Sequence, residues 1–141
     1  MKRRFSFIAF AMMLLVLLLA ACVGGDAAET GEEKKGEIAI GYVSITAKEA
    51  KQLMDTEENY IIIDARTQEE YDVAHIPGAI MIPEYEIADR AEAELPDKEQ
   101  LILVYCRSGR RSKIASQALA DLGYTNVKEF GGIIDWPYET E

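Results

Sequence analysis

A chain of 141 residues with 49% apolar composition has the length of one ordinary domain and enough apolar side chain for a packed core, which excludes disorder throughout. Its formal charge of −10 argues against nucleic acid as a partner and for a solvated surface repelled by anionic lipid headgroups.

The first residues, Lys2-Arg3-Arg4, precede an apolar run from Phe5 to Ala21, the basic and hydrophobic regions of an export signal. Leu19-Ala20-Ala21-Cys22 resembles the bacterial lipobox, in which small residues precede a cysteine that is acylated and becomes the first residue of the mature chain. The resemblance implies that residues 1–21 are a lipoprotein signal peptide. Cys22 would then carry the lipid, palmitate included, and hold the domain on the extracytoplasmic face of a bacterial membrane. The plainer alternative is an uncleaved membrane-spanning helix, since roughly 18 apolar residues reach across a bilayer. Both readings put the domain outside the cytoplasm, with the basic end inside. Removing residues 1–21 takes away three bases and no acids, so the remaining chain carries −13.

From Val23 to Glu37 the chain is Gly, Ala, Glu, Asp, Lys and Thr, with no large apolar residue after Val23. Residues 22–37 therefore read as the lipidated cysteine and a flexible acidic tether, which favours a freely moving monomer. The domain proper is assigned to residues 38–141. A short first strand is expected at Tyr42–Ile45. Thr46-Ala-Lys-Glu49 then reads as a capping box opening a helix to about Met54. Tyr60–Ile63 is the next buried strand, ending at Asp64-Ala65-Arg66, and Thr67-Gln-Glu-Glu70 repeats the capping box before a short helix through Val73. Pro77-Gly78 marks a turn into a third strand, Ala79–Ile82, closed by Pro83. A helical segment from Tyr85 to Leu95 ends at Pro96-Asp97.

The wholly apolar run Leu101-Ile-Leu-Val-Tyr105 reads as a central strand buried on both faces, and it stops at Cys106. After the turn Arg107-Ser108-Gly109-Arg110-Arg111, apolar residues at Ile114, Ala115, Ala118, Leu119 and Leu122 mark one face of a helix expected over Ser112–Leu122, with Gly123 as its stop. A fifth strand, Val127–Phe130, and the pair Gly131-Gly132 lead into a last turn carrying Trp136. Strands alternating with helical segments argue for a single parallel α/β sheet with helices on both faces.

The thiol of Cys106 thus lies between a strand end and a helix start, the crevice where open α/β sheets bind ligands and where unpaired N–H groups favour an anion. With Cys22 lipidated it is the only thiol left, so no disulfide within the chain and no resolving cysteine is available. A cysteine packed as a small hydrophobe is the bland alternative. The neighbouring arginines and glycine favour a lowered pKa and a reactive thiolate instead. Backbone N–H groups of residues 107–111, curled around an anionic sulfur and eased by Gly109, would serve without a general base. One histidine and one available cysteine support no metal site, and no cofactor is expected.

Three segments, from about Tyr42 to Tyr138, resemble a single-domain rhodanese: Asp64-Ala-Arg66-Thr-x-x-Glu70-Tyr71 continuing into His75-Ile-Pro-Gly-Ala79, then Tyr105-Cys106-Arg107-Ser108-Gly109-Arg110-Arg111-Ser112, then Gly131-Gly132-x-x-x-Trp136. The resemblance implies a five-stranded parallel sheet flanked by helices on both faces. It also implies a sulfurtransferase whose Cys106 takes a sulfane sulfur from a small anionic donor such as thiosulfate and passes it, as a persulfide, to a thiol or cyanide-like acceptor. The resemblance aligns Arg111 with the arginine that in that family closes the loop and helps hold the donor, and implies Ser108 and Gly109 in the same substrate loop. Arg107 and Arg110 attract the anion from the rim or are solvated charges. Asp64 and Arg66 match a supporting acid–base pair that orients loops, His75 a structural position, and Trp136 a core anchor. Cysteine phosphatases and arsenate reductases place five residues between cysteine and arginine. Here four separate Cys106 from Arg111, and Ser112 at the wider spacing cannot grip an oxyanion with two bonds. A catalytically idle rhodanese-like binding module is the remaining alternative.

Overall fold

The computed structural model describes residues 41–141. The residues read as a signal segment, as the lipidation position Cys22 and as a tether lie outside the described residues. Among those described, no helix is long and apolar enough to cross a membrane, and no group of His, Cys, Asp and Glu is arranged to hold a metal ion.

Five strands form one parallel sheet: β1 (Val43–Ser44), β2 (Tyr60–Asp64), β3 (Ala79–Met81), β4 (Leu101–Cys106) and β5 (Val127–Gly132), in the order β1-β5-β4-β2-β3. The helices are α1 (Ala47–Thr56), α2 (Gln68–Val73), α3 (Ile87–Glu94) and α4 (Arg110–Asp121), and a 3-10 turn follows at Ile133–Asp135. The α/β class, the five parallel strands and the helices on both faces match the expectation.

β4 is central, and all six of its residues are buried. Because successive side chains point to opposite faces, Ile102, Val104 and Cys106 join Ile63, Ala91, Ala115 and Leu119 on one side. Leu101, Leu103 and Tyr105 join Ala50, Ile76, Phe130 and Trp136 on the other. Fully burying a Leu, Ile or Val contributes roughly 1.5–3 kcal/mol, so this doubly covered strand is the rigid element on which the cysteine loop stands.

Both capping boxes form. Thr46 accepts from Glu49 N while Glu49 accepts from Thr46 N, and Thr67 and Glu70 do the same. α4 begins at Arg110, two residues before the expected Ser112, because Gly109 takes a left-handed φ of 95° and turns the chain directly from loop into helix. β5 runs past Phe130 to Gly132, which pairs with Cys106. That extension lays the end of β5 against the cysteine loop. Two further bounds shift modestly: α1 reaches Thr56 rather than Met54, and α3 is confined to Ile87–Glu94.

Candidate active site

Cys106 is the last residue of β4 and only 1% exposed. The tight turn that follows brings Gly109 N to 3.1 Å from the cysteine sulfur, its N–H donating to Sγ. Ser112 Oγ, one turn into α4, lies 3.5 Å from Sγ. Burial pushes the Cys106 thiol up, but hydrogen bonds from the loop, among them the N–H groups of Ser112, Ser108 and Gly109, outweigh it and hold the thiol below its ordinary value. The loop therefore turns its donors toward the sulfur, the arrangement an anionic sulfur requires.

The glycine at 132 makes this close approach possible. A Cβ there would collide with the carbonyl of Arg107 and lie 2.6 Å from Ser108 Cα. The same Arg107 carbonyl accepts from Ile134 N at 3.3 Å, tying the loop to the turn after β5.

The arginines divide into two kinds. Arg107 and Arg110 are exposed. Arg111 is 18% exposed, and its Nη1 and Nη2 donate to the two carboxylate oxygens of Glu70 at 2.6 and 2.7 Å. The Arg111 guanidinium holds the Glu70 carboxyl down at about 2. Arg110 and Arg111 occupy the first turn of α4, and no acid accompanies them there. Positive charge at the positive end of a helix is unfavourable by itself; the Glu70 carboxylate offsets it at Arg111, and Arg110 faces solvent.

Asp64 and Arg66 form a buried pair on the neighbouring strand end. Arg66 Nη2 donates to Asp64 Oδ2 at 2.6 Å and to the Ala74 carbonyl at 2.7 Å. Tyr105 OH donates to the same Asp64 oxygen at 2.6 Å and accepts from Ile76 N at 3.1 Å. Burial and the Asp64 carboxylate both push the Tyr105 hydroxyl far up, so it stays protonated as a donor. The cluster ties the loops after β2 and α2 to β4.

His75 is placed elsewhere. Its ring stacks on Tyr71 at 3.7 Å between centroids, Nδ1 lies 3.0 Å from the Tyr71 carbonyl, and its backbone pairs with Glu141. Trp136 is 9% exposed, packs against Phe130 and donates from Nε1 to the Glu139 carbonyl. A cleft of about 300 Å³ opens beside the cysteine loop, lined by Arg66, Glu69, Glu70, Val73, Arg107, Ile133 and Ile134. A larger cleft of about 500 Å³ lies at the start of β2, against Tyr60, Met54 and Trp136, and takes no residue from the cysteine loop.

Four residues at the site were not singled out by the sequence reading for a part in it: Glu70, Tyr105, Ser112 and Glu129. Glu129 carried a usable signal, since alternation along β5 puts it on the same face as the core residue Val127. The others owe their places to partners 41 residues away, or to the early start of α4.

Residues 46–137 match the family model of the rhodanese-like domain. The thiosulfate sulfurtransferase PspE of Escherichia coli is 42% identical over 73 residues, covering 52% of this chain and 70% of that protein. The putative sulfur carrier protein YrkF of Bacillus subtilis is 37% identical over 112 residues, covering 79% of this chain. The chain spans 60% of the length of YrkF. A solved rhodanese with anions from E. coli superposes with a TM-score of 0.55 at 38% identity, covering 58% of this chain and 96% of that one. A thiosulfate sulfurtransferase from Pseudomonas aeruginosa gives 0.65 at 31% identity, covering 71% of this chain and 20% of the other. With five parallel strands in the order found here and a cysteine loop closing the central one, the chain belongs to the rhodanese-like domain family, which includes sulfurtransferases.

Proposed function

We propose that the protein is a sulfurtransferase that carries a sulfane sulfur on Cys106. The observation that carries this reading is the Gly109 N–H directed at the buried sulfur from 3.1 Å, at the start of a helix whose first turn holds two arginines and no acid. Cys106 thiolate attacks the outer sulfur of thiosulfate. An S–S bond forms to the enzyme, the sulfur–sulfur bond of the donor breaks, and sulfite leaves with the bonding electron pair. A nucleophilic acceptor, a thiol or cyanide, then takes the outer sulfur and returns Cys106 as the thiolate. The first step takes Cys106 from thiolate to persulfide and the second returns it, so the two together leave the protein unchanged, and an already ionised sulfur needs no general base. The activity of PspE and the anions held by the E. coli rhodanese are in keeping with an anionic sulfur donor.

The test is thiocyanate production from thiosulfate and cyanide by the full chain beside Cys106→Ser. Turnover in the wild type that vanishes in the variant supports the reading, and equal rates in both would remove it.

We further propose that the protein works as a monomer on the extracytoplasmic face of a bacterial membrane, anchored through lipid on Cys22. The support is the basic start, the apolar run and the Leu19-Ala20-Ala21-Cys22 sequence. A Cys22→Ala form should appear by mass spectrometry with no lipid and with its first 21 residues retained. Normal lipidation of that form would sink the idea.

A further inference from the structure

Glu129 is the single acid on β5 and only 2% exposed. Its Oε2 accepts from Ser44 Oγ at 3.1 Å, and its Oε1 accepts from Gly131 N at 2.8 Å. The same Oε1 lies 2.7 Å from Ser112 Oγ. Ser112 Oγ also lies 3.0 Å from the Gly109 carbonyl, 3.4 Å from the Gly131 carbonyl and 3.5 Å from Cys106 Sγ. A serine hydroxyl has one proton and two lone pairs, so it donates to one of these four at a time. The carboxylate is both the nearest and the strongest acceptor.

We propose that Glu129 is a positioning residue for Cys106: it draws the Ser112 hydroxyl proton to itself, so that the serine presents a lone pair to Sγ and accepts from the thiol. The hydroxyl donates to the sulfur only when it turns away from the carboxylate. Thiolate and carboxylate therefore compete for one proton, and Glu129 opposes the N–H groups of Ser108, Gly109 and Ser112, which favour the ionised sulfur. The balance sets a working pH for the cysteine rather than maximal acidity.

Of the other charges around the loop, only Arg111 also acts on the sulfur; the rest have their own partners or face water. Arg111 on α4 is paired with Glu70 on α2, and the Cys106 sulfur itself and, from the loop after β3, Glu84 also act on it, so Arg111 favours the ionised sulfur in every variant compared below. Asp64 and Arg66 at the end of β2 hold each other, and Arg107 and Arg110 are exposed. Glu129 is the charged group bonded to a hydroxyl that touches Sγ.

The inference rests on Cys106 being the reactive group of the proposed sulfur transfer, but its readout does not. The measurement is the pH profile of iodoacetamide alkylation of Cys106 in the full chain, read on the Cys106 peptide by mass spectrometry. In Glu129→Gln the side chain keeps its shape and Oε1 becomes a weaker acceptor. The midpoint is expected to fall by about one unit, about a tenfold gain in thiolate below the midpoint. In a Ser112→Ala background the same change should move the midpoint little. An equal shift in both backgrounds would identify simple charge repulsion and overturn the proposal, as would an unmoved or raised midpoint with Ser112 intact. Should Glu129→Gln fail to fold, Glu129→Asp makes the same separation, because it keeps the charge and withdraws the carboxylate from Ser112. The midpoint falls if the hydroxyl is shared and stays put if charge alone matters. Alkylation needs no sulfur donor, so a chain that transfers no sulfur can still show the shift.

Discussion

Arg111 and Glu70 meet through two hydrogen bonds of 2.6 and 2.7 Å and join the first turn of α4 to the first turn of α2. Glu70 also completes the capping box of α2 by accepting from Thr67 N at 3.3 Å. One carboxylate thus starts a helix and holds the arginine that flanks the cysteine loop. Its folded pKa of about 2 lies below the ordinary 4.5, so its contribution is present above about pH 4.5 and is lost as the pH falls toward 2. Glu70→Gln should cost about 1 kcal/mol at neutral pH after solvent screening, and the gap from wild type should close between those two values. Urea midpoints across that range test the claim, and a gap that persists unchanged at the acidic end would contradict it.

Gly132→Ala should disable the loop more than it destabilises the domain. The added methyl group meets the Arg107 carbonyl and Ser108 Cα, and the backbone must move to admit it. Overpacking of this kind costs about 1–3 kcal/mol. The variant is expected to fold, with a lowered thermal midpoint and thiocyanate turnover reduced to a small residue. Wild-type turnover would mean that the approach of β5 to the loop does not matter.

Tyr105→Phe separates support from chemistry. The change leaves Ile76 N without its acceptor and Asp64 Oδ2 without one of its donors, all in a buried setting. A stability loss of about 1–3 kcal/mol is expected. The alkylation profile of Cys106 should hardly move, because the tyrosine side chain points to the opposite face of β4 from the sulfur. A displaced profile would place Tyr105 among the groups that tune the thiol.

The exposed arginines are tested by salt as well as by substitution. If Arg107 and Arg110 gather the anionic donor at the rim, the Arg107→Gln, Arg110→Gln form should show a several-fold higher KM for thiosulfate, near-normal kcat, and a weaker dependence on ionic strength than wild type. An unchanged KM at low salt identifies both as solvated charges.

Much of the fold is legible in local chemistry, and the site is legible where it is local. The two capping boxes, at Thr46–Glu49 and Thr67–Glu70, and the apolar run of β4 are written in contiguous residues, and all three form as read. The start of α4 is misplaced by two residues because apolar spacing reports a buried face, whereas the helix begins where Gly109 turns left-handed and its first exposed turn carries arginine. The extension of β5 through two glycines is hidden for another reason. Glycine reads as a breaker, yet Gly132 is a strand residue here because the Arg107 carbonyl fills the space of its absent side chain. Asp64 and Arg66 are near neighbours in sequence and in space, whereas Glu70 and Arg111 lie 41 residues apart, and only folding brings that carboxylate to the loop.

The most direct measurement is the intact mass of the wild-type chain and of Cys106→Ser after incubation with thiosulfate alone, followed by addition of cyanide. A gain of one sulfur atom on the wild type only, discharged by cyanide with return to the starting mass, is the predicted result. A wild-type chain that gains no sulfur from thiosulfate, or a serine variant that gains it equally, would contradict the assignment of Cys106 as the sulfur carrier.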